Sequence, residues 1–176
     1  MEQIKVHDNF LSYDDLNTCI KIIKKGKWEY GQESSLDENN ILSNQFFLMD
    51  LQDNEFFTGS LKEKIETTLG LKLTIDRVYA NGQTFGLDGS FHQDNYEKNC
   101  ITFCLYISPI PDDIISEAGG NIFFKVPSIP NFILSLEPRF NRAISFPSYF
   151  FHKGETFSRY IKNMRICVAW KFRIAS

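Results

Sequence analysis

From residue 71 onward the chain is a succession of short apolar runs cut apart by Gly, Pro, Asn and Asp. The runs cover residues 71–79, 90–94, 100–108, 121–126, 132–136, 142–146, 150–153 and 164–172. Runs of this length, bounded by turn residues, read as β-strands. Eight short strands after a helical segment predict a mainly β fold with flanking helices. The expected architecture is a jelly roll, or double-stranded β-helix, with N-terminal helices bracing one sheet. A β-sandwich without a site is the plain alternative.

The first 70 residues read as helix and loop. Ser12 is placed to cap a helix through Ile23, with Leu16, Cys19, Ile20 and Ile23 on one face. Ser60-Leu61-Lys62-Glu63 has the form of a capping box. Leu61, Ile65 and Leu69 follow on one stripe, and Gly70 stops the helix. Residues 31–40 (Gly-Gln-Glu-Ser-Ser-Leu-Asp-Glu-Asn-Asn) are polar and aperiodic, a surface loop beside Trp28 and Tyr30. Such a segment is either a lid over a site or a solvated connector. The expectation is one domain over residues 1–176, with a helical and loop part at 1–70 and a β-helix core at 71–176.

Composition narrows the function classes. The 176 residues include 17 Phe and are 43% hydrophobic, which implies a thick aromatic core. A net charge of −3 offers no basic stripe, so nucleic acid is not an expected partner. No apolar run approaches a membrane span, and residues 1–7 lack the core of a signal peptide, so a cytoplasmic setting is expected. The four cysteines, Cys19, Cys100, Cys104 and Cys167, form no Cys-x-x-Cys pair and read as buried, reduced thiols.

Two of the three histidines stand where a metal would need them. His92 and Asp94 are two residues apart in a predicted strand, so both side chains aim at one face. His152 follows 60 residues later, beyond the apolar run Ala143-Ile144-Ser145-Phe146. Two imidazoles and one carboxylate leave half an octahedron open, the arrangement that suits non-haem Fe(II). The bland reading is a buried His and Asp that merely satisfy each other.

The series of motifs around these residues resembles the Fe(II)- and 2-oxoglutarate-dependent oxygenases, in particular their prolyl 4-hydroxylase-like branch. The resemblance runs from about Val78 to Phe172. It begins with Tyr79-Ala80-Asn81-Gly82, His92-Gln93-Asp94-Asn95 and Ile101-Thr102-Phe103-Cys104-Leu105-Tyr106-Ile107. It continues with Gly119-Gly120-Asn121-Ile122-Phe123-Phe124 and Asn141-Arg142-Ala143-Ile144-Ser145-Phe146 before His152-Lys153-Gly154. Arg165-Ile166-Cys167-Val168-Ala169-Trp170 closes it, with Cys where the family pattern has Ser.

The resemblance implies Fe(II) held by His92, Asp94 and His152, with 2-oxoglutarate as co-substrate, O2 as oxidant and ascorbate as a candidate reductant. It implies hydroxylation of a peptidyl proline or a small molecule, coupled to decarboxylation of 2-oxoglutarate to succinate. Arg165 is the first choice to bind the distal carboxylate, because Cys167 and Ala169 on its face are small enough to line a crowded interior. Ile166, Val168 and Trp170 then face the helices. Arg165 lies 13 residues beyond His152, a longer interval than is common in the family, so Arg159, seven residues beyond, is the runner-up. Tyr79 and Tyr106 match positions that hydrogen-bond the co-substrate, and Asn95 and Tyr96 fall at the site mouth. Arg139 and Arg142 read as surface ion-pair partners. Two rivals remain at this stage: a non-catalytic module holding metal or a small acid, and a cupin-type metal enzyme, which would carry His-x-His and a Glu.

Overall fold

In the computed structural model, which describes residues 3–33, 45–126, 129 and 131–175, helix α1 (Tyr13–Lys25) starts where Ser12 predicts. Ser12 is extended and its Oγ accepts from the N–H of Asp15 at 3.2 Å. Asp14 and Asp15 in the first turn and Lys24 and Lys25 in the last complement the helix dipole. Cys19 and Ile23 face the core. Helix α2 (Leu61–Leu69) buries Leu61 and Ile65 and ends at Gly70, whose φ of 68° is the left-handed cap that glycine permits.

The capping box at Ser60 is not formed. A five-residue π-helical turn, Phe56–Ser60, runs directly into α2, and Ser60 has helical dihedrals with no capping bond. The N–H of Leu61 already bonds to the carbonyl of Phe56, so the helix start needs no side-chain acceptor there. A short helix α3 (Ile115–Ala118) lies farther along.

The strands are β1 (Lys5–His7), β2 (Glu29–Glu33), β3 (Gln45–Asp50), β4 (Leu73–Gln83), β5 (Cys100–Tyr106), β6 (Ile122–Lys125), β7 (Ile133–Leu136), β8 (Arg142–Pro147), β9 (His152–Gly154) and β10 (Arg165–Ile174). Seven form a sheet in the order β1-β8-β5-β10-β4-β3-β2, and three form a second in the order β7-β6-β9. All pairings are antiparallel. This is the mainly β, jelly-roll architecture that the strand pattern predicts. Among the described residues no helix is long and apolar enough to cross a membrane.

Strand β10 divides the core in two. Val168, Trp170 and Phe172 pack with Cys19, Ile23, Phe57, Leu61 and Ile65 on the helical side of the large sheet. The opposite face sends Cys167 and Ala169 into a cluster with Cys104, Tyr106, Ile144 and Phe146 of the same sheet and Ile122 and Phe124 of the small one. The functional residues lie in this second layer, between the sheets. Trp170 also donates its indole N–H to the carbonyl of Phe57 at 3.0 Å, tying β10 to the π-helical turn.

Two expectations of chain organisation are corrected. Residues 1–70 are not only helix and loop, because β1, β2 and β3 extend the large sheet at both edges. Every residue of β2 is exposed, so it carries no apolar period to read, and β1 is only three residues long. Residues 90–94 are not a regular strand. His92 instead forms a single antiparallel bridge with His152, each N–H bonding to the other's carbonyl at 3.0 Å.

Candidate active site

His92, Asp94 and His152 converge as their spacing predicts, although the local backbone is a bridge rather than a strand. The N–H of Asp94 bonds to the carbonyl of Ser148 at 3.0 Å, which keeps the segment extended past His92. His92 Nε2 lies 3.4 Å from Asp94 Oδ1, and His152 Nε2 lies 3.4 Å from Asp94 Oδ2. One nitrogen or oxygen from each of the three falls within 4.8 Å of the others, close enough to share an ion. His92 Nδ1 bonds to the carbonyl of Ser90 and His152 Nδ1 to that of Phe150, both at 2.9 Å. A carbonyl can only accept, so each Nδ1 carries a proton and each Nε2 is the nitrogen left to face the shared point. The rings of Phe124 and Phe146 pack against His152, with centroids 6.0 and 4.7 Å away.

Electrostatics prepare Asp94 and His152. Burial opposes ionisation of Asp94, but Lys171 and the two histidines outweigh it and hold the carboxyl well below its usual range. Burial pushes His152 down to about 4 against the opposing pull of Asp94. At neutral pH Asp94 is therefore an anion and His152 a neutral imidazole, the states in which both are ligands. Asp94 Oδ2 accepts from Thr102 Oγ1 at 2.6 Å and from the ammonium of Lys171. Thr102 in turn is 3.0 Å from Ser148 Oγ.

These groups open into a cavity of about 1150 Å³. Its floor is a grid that follows from strand register. Arg165, Cys167, Ala169 and Lys171 alternate along one face of β10, opposite Gln83, Asn81, Tyr79 and Arg77 of β4. On the other flank Cys167 meets Tyr106, Ala169 meets Cys104, and Lys171 meets Thr102. Gln93, Asn95 and the 82%-exposed Tyr96 also line the cavity, at its mouth.

Arg165 lies at one end of the grid, only 4% exposed. Its Nε donates to the carbonyl of Gly120 at 2.7 Å, and one terminal nitrogen donates to Gln83 Oε1 at 2.8 Å. Its guanidinium lies over the Tyr106 ring, 5.2 Å from the centroid. Gly154 allows this packing: a Cβ there would stand 3.3 Å from both terminal nitrogens. Among the described residues no carboxylate pairs with Arg165. The Tyr106 hydroxyl beside it is buried without a hydrogen-bond partner. A buried guanidinium facing an orphan hydroxyl is a ready anion site, since leaving either unpaired costs free energy.

The other sequence candidates divide cleanly. Arg159 is exposed, donates to the Tyr160 hydroxyl at 3.0 Å and does not line the cavity. Tyr79 lines the cavity, but at the Lys171 end rather than beside Arg165. Arg139 pairs with Glu137 at 3.0 Å at the surface, as expected, whereas Arg142, which pairs with Asp8 at 2.6 Å, has a largely buried side chain that also donates to the carbonyl of Glu137. All four cysteines are free and buried, and Cys100 and Cys104 border the cavity. Trp28 packs against the helical core, while Tyr30 packs against Phe47 with the rings tilted by 54° and centroids 5.0 Å apart. Of the segment read as lid or connector, residues 31–33 belong to β2 and line the cavity, and residues 34–40 lie outside the described residues. Sequence reasoning missed Lys171, Thr102, Asn81 and Gln83. Continuing the two-residue period of Arg165, Cys167 and Ala169 by one step would have found Lys171.

No protein-family model and no curated protein matches the chain. Solved structures do. A prolyl hydroxylase from Trichoplax adhaerens, solved with a hypoxia inducible factor oxygen degradation domain peptide fragment, superposes with a TM-score of 0.71 at 15% identity, covering 97% of this chain and 83% of that one. A 2OG-Fe(II) oxygenase family oxidoreductase from Burkholderia pseudomallei gives 0.73 at 10% identity, covering 98% and 85%. HygX from Streptomyces hygroscopicus, solved with nickel, 2-oxoglutarate and hygromycin B, gives 0.70 at 8% identity, covering 97% and 82%. The fold is that of the 2-oxoglutarate–Fe(II) oxygenases.

Proposed function

We propose that this protein is an Fe(II)- and 2-oxoglutarate-dependent hydroxylase, with His92, Asp94 and His152 as iron ligands. The observation that carries this reading is Arg165, a buried cation with no carboxylate partner among the described residues, in the same cavity as the His-Asp-His cluster. The donor set suits iron: two imidazole nitrogens and one carboxylate on one side of an ion. The far end suits a dicarboxylate, whose distal group meets the Arg165 fork and the Tyr106 hydroxyl.

Iron with O2 and 2-oxoglutarate supplies the oxidising chemistry, in which 2-oxoglutarate leaves as succinate and carbon dioxide while the substrate gains a hydroxyl. The chain's part is placement. Gln83 and Gly120 hold Arg165 in line with the strand, and Cys167, Ala169 and Ile122 line the cavity with small or apolar groups that exclude water from the co-substrate. Ser90 and Phe150 hold the imidazoles in one tautomer. The substrate enters past Asn95, Tyr96 and Phe151. The structural neighbours include one solved with a peptide fragment and one solved with hygromycin B, so both a peptidyl and a small-molecule substrate stand as proposals. A cupin-type site is disfavoured, because the cluster contains Asp94 and no Glu or second His in a His-x-His pair.

An anaerobic titration tests the reading. Adding 2-oxoglutarate to the Fe(II)-loaded protein is expected to produce a weak visible metal-to-ligand charge-transfer band, absent from His152→Ala. Iron binding without that band at saturating 2-oxoglutarate refutes the co-substrate assignment. Succinate release in air then separates an enzyme from a non-catalytic module on the same barrel.

A further inference from the structure

The end of the cavity opposite Arg165 holds a second cationic group that the co-substrate does not need. Lys171 and Arg77 are direct partners across β10 and β4, and both line the cavity. Tyr79 lies against both, with Arg77 Cζ 4.5 Å and Lys171 Nζ 5.8 Å from its ring centroid. Arg77 has no carboxylate partner among the described residues. Lys171 is largely buried and rests on Asp94, the carboxylate assigned above to the metal. The other cavity-lining acids are engaged elsewhere: Asp76 pairs with Arg173 at 3.6 Å, and Glu33, on the edge strand β2, accepts from Gln45 at 3.3 Å.

Lys171 lies six positions beyond Arg165 along β10, about 20 Å of strand. A five-carbon dicarboxylate anchored at Arg165 cannot reach the second group. Charge leads to the same place. On the proposed reading, the charges of Fe(II), Asp94, the 2-oxoglutarate dianion and Arg165 sum to zero. Lys171, mostly buried, then shares its one carboxylate, Asp94, with the metal, and Arg77 has no carboxylate partner among the described residues, so the two leave this end of the cavity with an excess of positive charge. A buried ammonium that must share its only carboxylate with a metal is under-neutralised, so the finished site favours a further anion there.

We infer that Lys171 and Arg77 form the anion-binding end of the substrate site, and that the substrate is a small molecule bearing a carboxylate. The inference rests on the proposed function. One carboxylate oxygen meets the Lys171 ammonium and the other the Arg77 guanidinium. Tyr79 braces both cations at its ring, which makes it a positioning residue here rather than a ligand of 2-oxoglutarate.

The test uses Mn(II) in place of iron, saturating 2-oxoglutarate, and three acids each paired with its primary amide: hexanoate, benzoate and N-acetylglycine. Paramagnetic broadening of the probe protons reports occupancy near the metal. Each acid is expected to be broadened about tenfold more strongly than its amide, the preference of a charge-assisted over a neutral contact. That preference should vanish in Arg77→Gln and Lys171→Met and persist in Arg159→Gln. Equal broadening of acids and amides in the wild type, or a preference unchanged in Arg77→Gln, overturns the inference. Arg77 is exposed and makes no ion pair among the described residues, so Arg77→Gln decides the matter even if Lys171→Met fails to fold. Electron paramagnetic resonance of Mn(II) and calorimetry of 2-oxoglutarate serve as controls. If the wild type binds neither, the proposed function fails and takes this inference with it. If both bind and acids are not preferred, only the anion site is refuted.

Discussion

Replacing Arg165 with Met separates the roles of the two ends of the cavity. The guanidinium makes two internal hydrogen bonds, to Gly120 O and Gln83 Oε1 at 2.7 and 2.8 Å. Losing them strands two buried acceptors, each at a cost of about 1–3 kcal/mol. Removing a buried cation that has no carboxylate partner among the described residues offsets part of that, so the folded protein is expected to lose only about 1–2 kcal/mol. The loss for 2-oxoglutarate is larger. A bidentate, charge-assisted contact in a buried setting contributes roughly 2–4 kcal/mol, or about 30-fold to 1,000-fold in Kd. Calorimetry on the Zn(II)-loaded protein should show that weakening while the Zn(II) affinity stays within about threefold of wild type. Arg165→Lys should fall between, because it keeps the charge and loses the planar fork. Unchanged 2-oxoglutarate affinity in Arg165→Met refutes the reasoning, and loss in Arg159→Ala instead would move the anchor to Arg159.

Three further outcomes follow from the same contacts. Asp94→Ala is expected to abolish metal binding and also to destabilise the metal-free protein by roughly 3 kcal/mol, because Lys171 loses its only carboxylate among the described residues. The double variant Asp94→Ala/Lys171→Met should recover most of that stability in urea titrations without recovering metal, and failure to recover it would show that the pair is not coupled. Acid should destabilise the metal-free fold: His152 has a pKa of about 4 when folded and near 6.5 when free, so the unfolded chain binds the extra proton between those values. Stability is then flat above pH 6.5 and falls by roughly 3 kcal/mol on going down to pH 4, a slope that His152→Leu should remove. Trp170→Phe should cost about 2 kcal/mol through the lost bond to Phe57 O and an underfilled core, with metal affinity unchanged.

The inward face of β10 was readable because a strand's period is two. Cys167 and Ala169 are small while Ile166, Val168 and Trp170 are large, so the side on which Arg165 lies follows from sequence alone. The His-Asp-His cluster was readable for a related reason, since any extended backbone sends residues 92 and 94 the same way, and a one-residue bridge satisfies that as well as a strand does. Part of what escaped was held by backbone alone. Strand β2 is Glu-Tyr-Gly-Gln-Glu with every residue exposed, and only its hydrogen bonds to β3 define it. Ser60 had the capping sequence but not the vacancy, because the π-helical turn before it had already supplied an acceptor. Lys171 was passed over because a lysine in a strand is ordinarily solvated, and nothing local marks the buried carboxylate 77 residues away that holds it.

The paired backbone hydrogen bonds between His92 and His152 have a consequence for metal identity. They fix the spacing of the two imidazoles through the main chain, and the Nδ1 bonds fix their orientation, so on the proposed reading the backbone sets two of the three ligands in advance. A cage set in advance distinguishes poorly among divalent ions of similar radius, and affinity then follows the Irving–Williams order, in which Ni(II), Cu(II) and Zn(II) all bind more tightly than Fe(II). On the proposed reading, the ion found in the isolated protein therefore records which metals it met during expression and purification. Activity becomes a matter of which ion the cell supplies first, and chelation followed by anaerobic loading with iron is the step on which any assay of the native reaction depends.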